Sequence, residues 1–226
     1  MGEWIVISAL ELPPLLAGTL VTLQLVAVSL VLGTVVGLST ALVRVYGSGW
    51  TRAMVIGYVE VFRGTPLLVQ LFMVYYGLPD IGIVLPAMTA ACLTMSLNSG
   101  AYQSDYFRGG VQAVGSGQMM AARALGMSRL KAIVHIILPQ AVRLLIPSWS
   151  LESSQLLKAS AVTFLITVPD AMGQAKILVT RTFNALPTYL TITGIYIGIV
   201  AICSLLFGLL ERKARIPGWG TAIYKR

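Results

Sequence analysis

The chain has 226 residues, of which 57% are apolar and only 11% charged, against about a quarter charged in an ordinary soluble domain. That composition points to one membrane-embedded domain and leaves no room for a large soluble one beside it. The formal charge of +8 would suggest nucleic acid in a soluble protein, but its distribution assigns it to membrane topology.

Residues 1–11, with Trp4 and Glu11, read as a short interfacial lead. Glu3 and Glu11 stand where a secretory signal would place basic residues, so no removable signal is expected and the first apolar run is a retained span. Residues 12–43 contain no charge and exceed the ~20 residues that cross a bilayer, which predicts one long or tilted helix. Pro13 and Pro14 suit its first turn. Tyr46-Gly47-Ser48-Gly49 is a turn between Arg44 and Arg52.

The second span is expected over 53–78. It carries Glu60 and Arg63, which at i, i+3 can neutralise each other on one helix face. Gly64-Thr65-Pro66 interrupts the helix, since Pro66 removes a donor and disfavours helix at Thr65. A third span over 83–106 follows the turn at Pro79-Asp80-Ile81-Gly82, and Asp105 and Arg108 read as a local ion pair near its end.

Residues 110–143 form the longest basic amphipathic segment. Gln118 to Leu125 is a strong helix former, Gly126 a left-handed stop, and Ser128 a cap for a second helix. There Leu130, Ile133, Val134, Ile137 and Leu138 recur with helical spacing, and Pro139 ends the pattern. The fourth span, over 144–169, contains Glu152, Gln155 and Lys158, which must face protein or a water-filled path. Residues 170–187 read as a polar connection. The fifth span, over 188–210, holds Gly194-x-x-x-Gly198, a close-packing signature.

The whole is thus expected to be an all-α membrane protein of five transmembrane helices, with a helix-Gly-helix loop. Outside the spans every Lys and Arg except Lys176 and Arg181 falls on one side. The positive-inside rule places that side, with the 110–143 loop and the C-terminus, in the cytoplasm and the N-terminus outside.

His135 is the only histidine, no phosphate-binding Gly-x-x-x-x-Gly-Lys loop occurs, and Cys92 and Cys203 stand alone in apolar runs. Catalysis, ATP hydrolysis and metal binding by this chain are therefore not expected. Among the polar residues within spans, Asn98 and Glu152 sit mid-span without an oppositely charged neighbour at i±3 or i±4, and Gln155 shares the face of Glu152. With the backbone freed at Gly64, Thr65 and Pro66, they are the candidates for a solute path. Glu152 would meet a positive group and the helix break a carboxylate. Tyr75 and Tyr76 read as an interfacial aromatic belt.

Ala121-Ala122-Arg123-Ala124-Leu125-Gly126, with Pro139 following, resembles the cytoplasmic "EAA" loop of binding-protein-dependent ABC importer permeases. The likeness narrows to the polar amino acid uptake family at Glu60-Val61-Phe62-Arg63-Gly64-Thr65-Pro66-Leu67, at Tyr75-Tyr76-Gly77-Leu78-Pro79, and from Ala101-Tyr102 to Arg108-Gly109-Gly110. It spans about residues 12–212. One departure is Met120, where the family usually has Glu.

The resemblance implies a type I importer permease of a bacterial cytoplasmic membrane. It would work as a homo- or heterodimer of permeases on two ATPase subunits, which bind ATP and Mg, with a solute-binding protein delivering an amino acid. Ala121, Ala122, Arg123, Leu125 and Gly126 would be the coupling loop, and no cofactor is expected in this chain. An ion-coupled secondary transporter and a non-transporting membrane anchor remain the alternatives that the residues alone allow.

Overall fold

The computed structural model describes residues 12–114 and 116–214; the expected interfacial lead at 1–11, Gly115 and the basic residues beyond 214 lie outside them. The described residues fold entirely as helices joined by short connections. The first four helices are α1 (Leu12–Tyr46), α2 (Gly49–Gly64), the short α3 (Leu67–Phe72) and α4 (Ala87–Ala113). After α5 (Ser116–Ala124) and α6 (Arg129–Ala132) come α7 (Leu138–Ser160), α8 (Ala171–Thr182) and α9 (Ala185–Ala214).

At 1.5 Å per residue the 35 residues of α1 are ample for a tilted span. Its main partner is α4, and small residues let the two backbones approach. A Cβ on Gly37 would lie 2.6 Å from the Cβ of Gln103, and one on Gly100 2.9 Å from that of Val36. Close approach of this kind gives dispersion contact in lipid, where no hydrophobic effect drives helices together. The seam also buries amides. Gln103 Oε1 accepts from Thr34 Oγ1 at 2.8 Å and from Trp149 Nε1 at 3.0 Å, while its Nε2 donates to Ser99 Oγ at 3.0 Å. The apolar core lies beside it, built from Leu25, Val26, Leu71, Met95, Leu157 and Ile166.

Three helical stretches are long and apolar enough to cross a membrane, or four if a bent pair counts as one. The bent pair is the expected second span, broken at Gly64-Thr65-Pro66 as the sequence predicts. Gly49–Gly64 and Leu67–Ile81 meet at 106°. Thr65 (φ −116°, ψ 144°) and Pro66 (φ −63°, ψ 137°) are extended, as the proline and its clash with the preceding residue require. Gln70 closes the break from the far side, its Nε2 donating to Phe62 O at 2.8 Å and Thr65 O at 3.1 Å.

The expected stop at Pro139 fails. Helix runs from Arg129 to Ser160 over 32 residues, because a π-helical turn at Ile133–Ile137 shifts the hydrogen-bond register just before the proline. Leu138 N bonds Ile133 O, five residues back, and the donor that Pro139 lacks falls at the return to α-helical register. The same helix ends at Ser160 and not near 169. A 3₁₀ turn, Thr163–Ile166, and a strap with Thr167 at φ 67° follow it.

The expected connection at 170–187 contains α8, whose first turn is capped by Asp170 accepting from Gly173 N at 2.7 Å. Ala171, Ala175 and Leu178 form its buried stripe. In α9 neither Gly194 nor Gly198 has an atom near where a Cβ would stand. Their spacing therefore packs against no helix among the described residues.

Candidate functional site

The helix break, α4 and α7 enclose a cavity of about 610 Å³, within the ~300–1,000 Å³ typical of small-molecule sites. Arg63, Gly64, Thr65 and Pro66 line it from the break; Asn98, Tyr102 and Tyr106 line it from α4. Glu152, Gln155 and Ala159 come from α7, at i, i+3 and i+7 on one helix face. All six residues assigned to a solute path from the sequence thus border one space.

Their surroundings differ. Glu152 is 4% exposed, and its Oε1 accepts from Ser99 Oγ at 2.6 Å. A carboxylate that deep needs such donors, since an unpaired one is costly in the low-dielectric interior. Gln155 is exposed to the cavity. Asn98 fastens the break, its Nδ2 donating to Phe62 O at 3.2 Å and Gln70 Oε1 at 3.0 Å. The break is therefore held in shape by two amide side chains that satisfy carbonyls a straight helix would have used.

The expected Glu60–Arg63 pair is not formed. Arg63 instead pairs with Asp105 and lies 5.5 Å over the ring of Tyr102, whereas Glu60 is exposed and takes part in no ion pair among the described residues. Asp105 does pair with Arg108, at 3.4 Å, but also with Arg44, at 2.8 Å. Three guanidinium groups share one carboxylate, which leaves cationic potential beside the cavity. Arg63, 42% exposed, is the lining residue that sequence reasoning set aside. Its position directly before Gly64-Thr65-Pro66 was the available signal.

Tyr75 and Tyr76, expected as an interfacial belt, make bonds within the chain. The Tyr75 hydroxyl lies 3.4 Å from Thr167 Oγ1, and Tyr76 donates to Leu165 O at 3.2 Å. They tie the segment after α3 to the strap after α7.

At the other end of α4 and α7, α5 closes with Gly126 at φ 82°. Met127 N bonds Ala122 O at 3.1 Å and Gly126 N bonds Arg123 O at 3.0 Å, the paired 6→1 and 5→2 bonds of a Schellman stop. Arg123 Nη1 adds a bond to Met127 O at 2.9 Å, and Ser128 Oγ caps α6 by accepting from Lys131 N. Ala122 faces inward at 1% exposure, while Leu125 stands 83% exposed. Arg129 stacks 5.1 Å over Tyr46 and so ties this elbow to the end of α1.

A family profile described as "Binding-protein-dependent transport system inner membrane component" matches residues 33–216. A probable amino-acid ABC transporter permease protein of Bacillus subtilis, YckA, is 37% identical over 201 residues, 89% of each chain. The nopaline transport system permease protein NocM of Agrobacterium fabrum is 34% identical, covering 91% of this chain and 92% of its own. Among solved structures, an amino acid ABC transporter with histidines superposes with a TM-score of 0.83 at 35% identity, over 92% of this chain and 99% of the other. The methionine ABC transporter MetNI in an inward-facing form gives a TM-score of 0.81 at 17% identity, a likeness of fold. The chain belongs to the binding-protein-dependent transport system inner membrane component family, as a membrane permease subunit and not an enzyme.

Proposed function

We propose that the chain forms the solute path of an ATP-driven importer of polar amino acids. The supporting observation is the cavity itself, which places the buried carboxylate of Glu152 and the guanidinium of Arg63 around one space. A zwitterion offers the complementary charges: Glu152 receives the ammonium, while Arg63 and the freed backbone at Gly64-Thr65-Pro66 receive the carboxylate. Amino acids named for several relatives agree with that chemistry.

The 110–143 elbow and the C-terminus lie in the cytoplasm and the N-terminus outside, with five crossings: α1, the broken α2–α3, α4, α7 and α9. Leu125, Arg123 and Gly126 present the docking elbow to an ATPase subunit, which supplies the ATP and Mg chemistry. A second permease, identical or related, completes the path, and a solute-binding protein loads it from outside. Closure of the ATPase pair moves the elbow, and helices attached to it switch the side on which the cavity opens.

The test is uptake by proteoliposomes containing the permease, its ATPase and its binding protein. Glu152→Gln lowers uptake about tenfold or changes which amino acids are carried, with assembly unchanged. Unaltered uptake, preference and solute-dependent ATP hydrolysis in that variant would place the path elsewhere.

A further inference from the structure

A second cavity, sharing no residue with the first, lies between α7 and α9. Ile146 and Trp149 of α7 and Phe207, Leu210 and Lys213 of α9 enclose about 340 Å³. Four of the five are apolar and the fifth is a lysine near the end of α9. Trp149 is a fixed wall, since its only donor is taken by Gln103 Oε1 at 3.0 Å and its ring meets Phe107 edge-on at 5.8 Å. It therefore lines the groove with no unmet polar atom.

The Lys213 end of the groove is cationic. Arg212 is the next residue, and Arg143 precedes Ile146 by one helical turn on the same face of α7; both are exposed. Lys213 takes part in no ion pair among the described residues, and Glu211 is already engaged in an interaction of its own. Both helices of the seam are of span length and apolar, and α9 buries little of itself in this chain, with Leu205, Leu206, Leu209 and Leu210 all exposed.

A ligand for this place needs an apolar tail, no hydrogen bonds along it, and an anion at one end. A free anion would leave the apolar walls of the groove unfilled, and a purely apolar occupant would leave its cationic end unmet. We propose that the groove binds one anionic phospholipid, an acyl chain lying along Trp149 and Phe207 and the phosphate resting on Lys213, with Arg143 and Arg212 beside it. Basic pockets between membrane helices hold anionic head groups in this manner, and the buried methylenes add to the charge attraction. The reading needs only that the chain spans a bilayer; it is independent of the solute path.

The test uses the full chain with Trp149 as sole tryptophan, the other three replaced by phenylalanine, in vesicles carrying brominated phosphatidylglycerol or brominated phosphatidylcholine. Quenching of Trp149 should be at least threefold stronger with the anionic lipid, and Arg143→Glu with Lys213→Glu should remove that preference without removing quenching. Equal quenching by both lipids overturns the headgroup assignment. No quenching by either, or disulfide crosslinking of Phe207→Cys to a second copy, overturns lipid as the occupant. Native mass spectrometry of the unsubstituted chain is the parallel readout: retained phosphatidylglycerol supports the site, and retention of zwitterionic lipid to the same extent refutes it.

Discussion

Arg63 is held by Asp105, 42 positions further along the chain, and not by Glu60 three positions earlier on its own helix. One carboxylate on α4 thereby gathers arginines from α1, α2 and α4 at the edge of the cavity. Removing its charge leaves three guanidinium groups crowded together. Asp105→Asn should destabilise the protein by about 1–3 kcal/mol, the scale for unpairing buried polar groups, discounted because Arg63 and Arg108 are partly exposed. Thermal unfolding in detergent reads this. Arg44→Gln, the least exposed partner, should lower the unfolding temperature more than Arg108→Gln, and equal stability of Asp105→Asn and the parent would show the cluster to be incidental.

Gly126 tests the elbow without touching the membrane core. Nothing lies near its missing Cβ, so a side chain there meets only the left-handed backbone, a cost of about 1–2 kcal/mol for an L-residue. Gly126→Val should leave membrane insertion intact while uptake and solute-stimulated ATP hydrolysis fall together. Full coupling in that variant would remove the elbow from the docking site.

A paired substitution separates two glycine patterns. Gly37→Ala pushes a methyl to within 2.6 Å of Gln103 and should cost about 1–3 kcal/mol through overpacking. Gly194→Ala meets nothing and should leave the single chain's stability unchanged. If instead Gly194→Ala weakens assembly with a second permease, its surface belongs to the dimer.

Topology is checked by cysteine labelling. Ser128→Cys should react only with a reagent presented from the cytoplasm and Asn184→Cys only with one from outside. The reverse pattern would invert the orientation.

Much of the site was readable in the sequence because a polar residue in an apolar span requires a physical reason. Glu152 and Gln155 announced themselves by cost and shared a face by spacing alone, and the broken helix was written in Gly64-Thr65-Pro66. Arg63 was misread because a partner three residues away is visible in sequence, whereas Asp105 on another helix is not. Pro139 was misread for a related reason: a π-helical turn changes hydrogen-bond register through backbone geometry that no residue type marks. The helix α8 was missed although Asp170 and the stripe Ala171, Ala175, Leu178 carried its signal, since 12 residues with Lys176 and Arg181 look like a loop beside long apolar runs. The glycines of α9 gave a packing motif that meets no helix among the described residues.

The amide of Gln103, which receives Thr34 from α1 and Trp149 from α7, has a mechanical consequence. Sliding α7 past α4 by a turn would strand the half-buried Trp149 donor, at about 1–3 kcal/mol, and sliding α1 would cost the Thr34 bond, leaving that hydroxyl on Leu30 O alone. The three helices are consequently bolted into one lever. Motion of one of them therefore carries the other two, and bending is left to the 106° corner and to the Thr167 strap, which joins the corner's far arm through two tyrosine hydroxyls and an apolar cluster that includes Leu71 and Ile166.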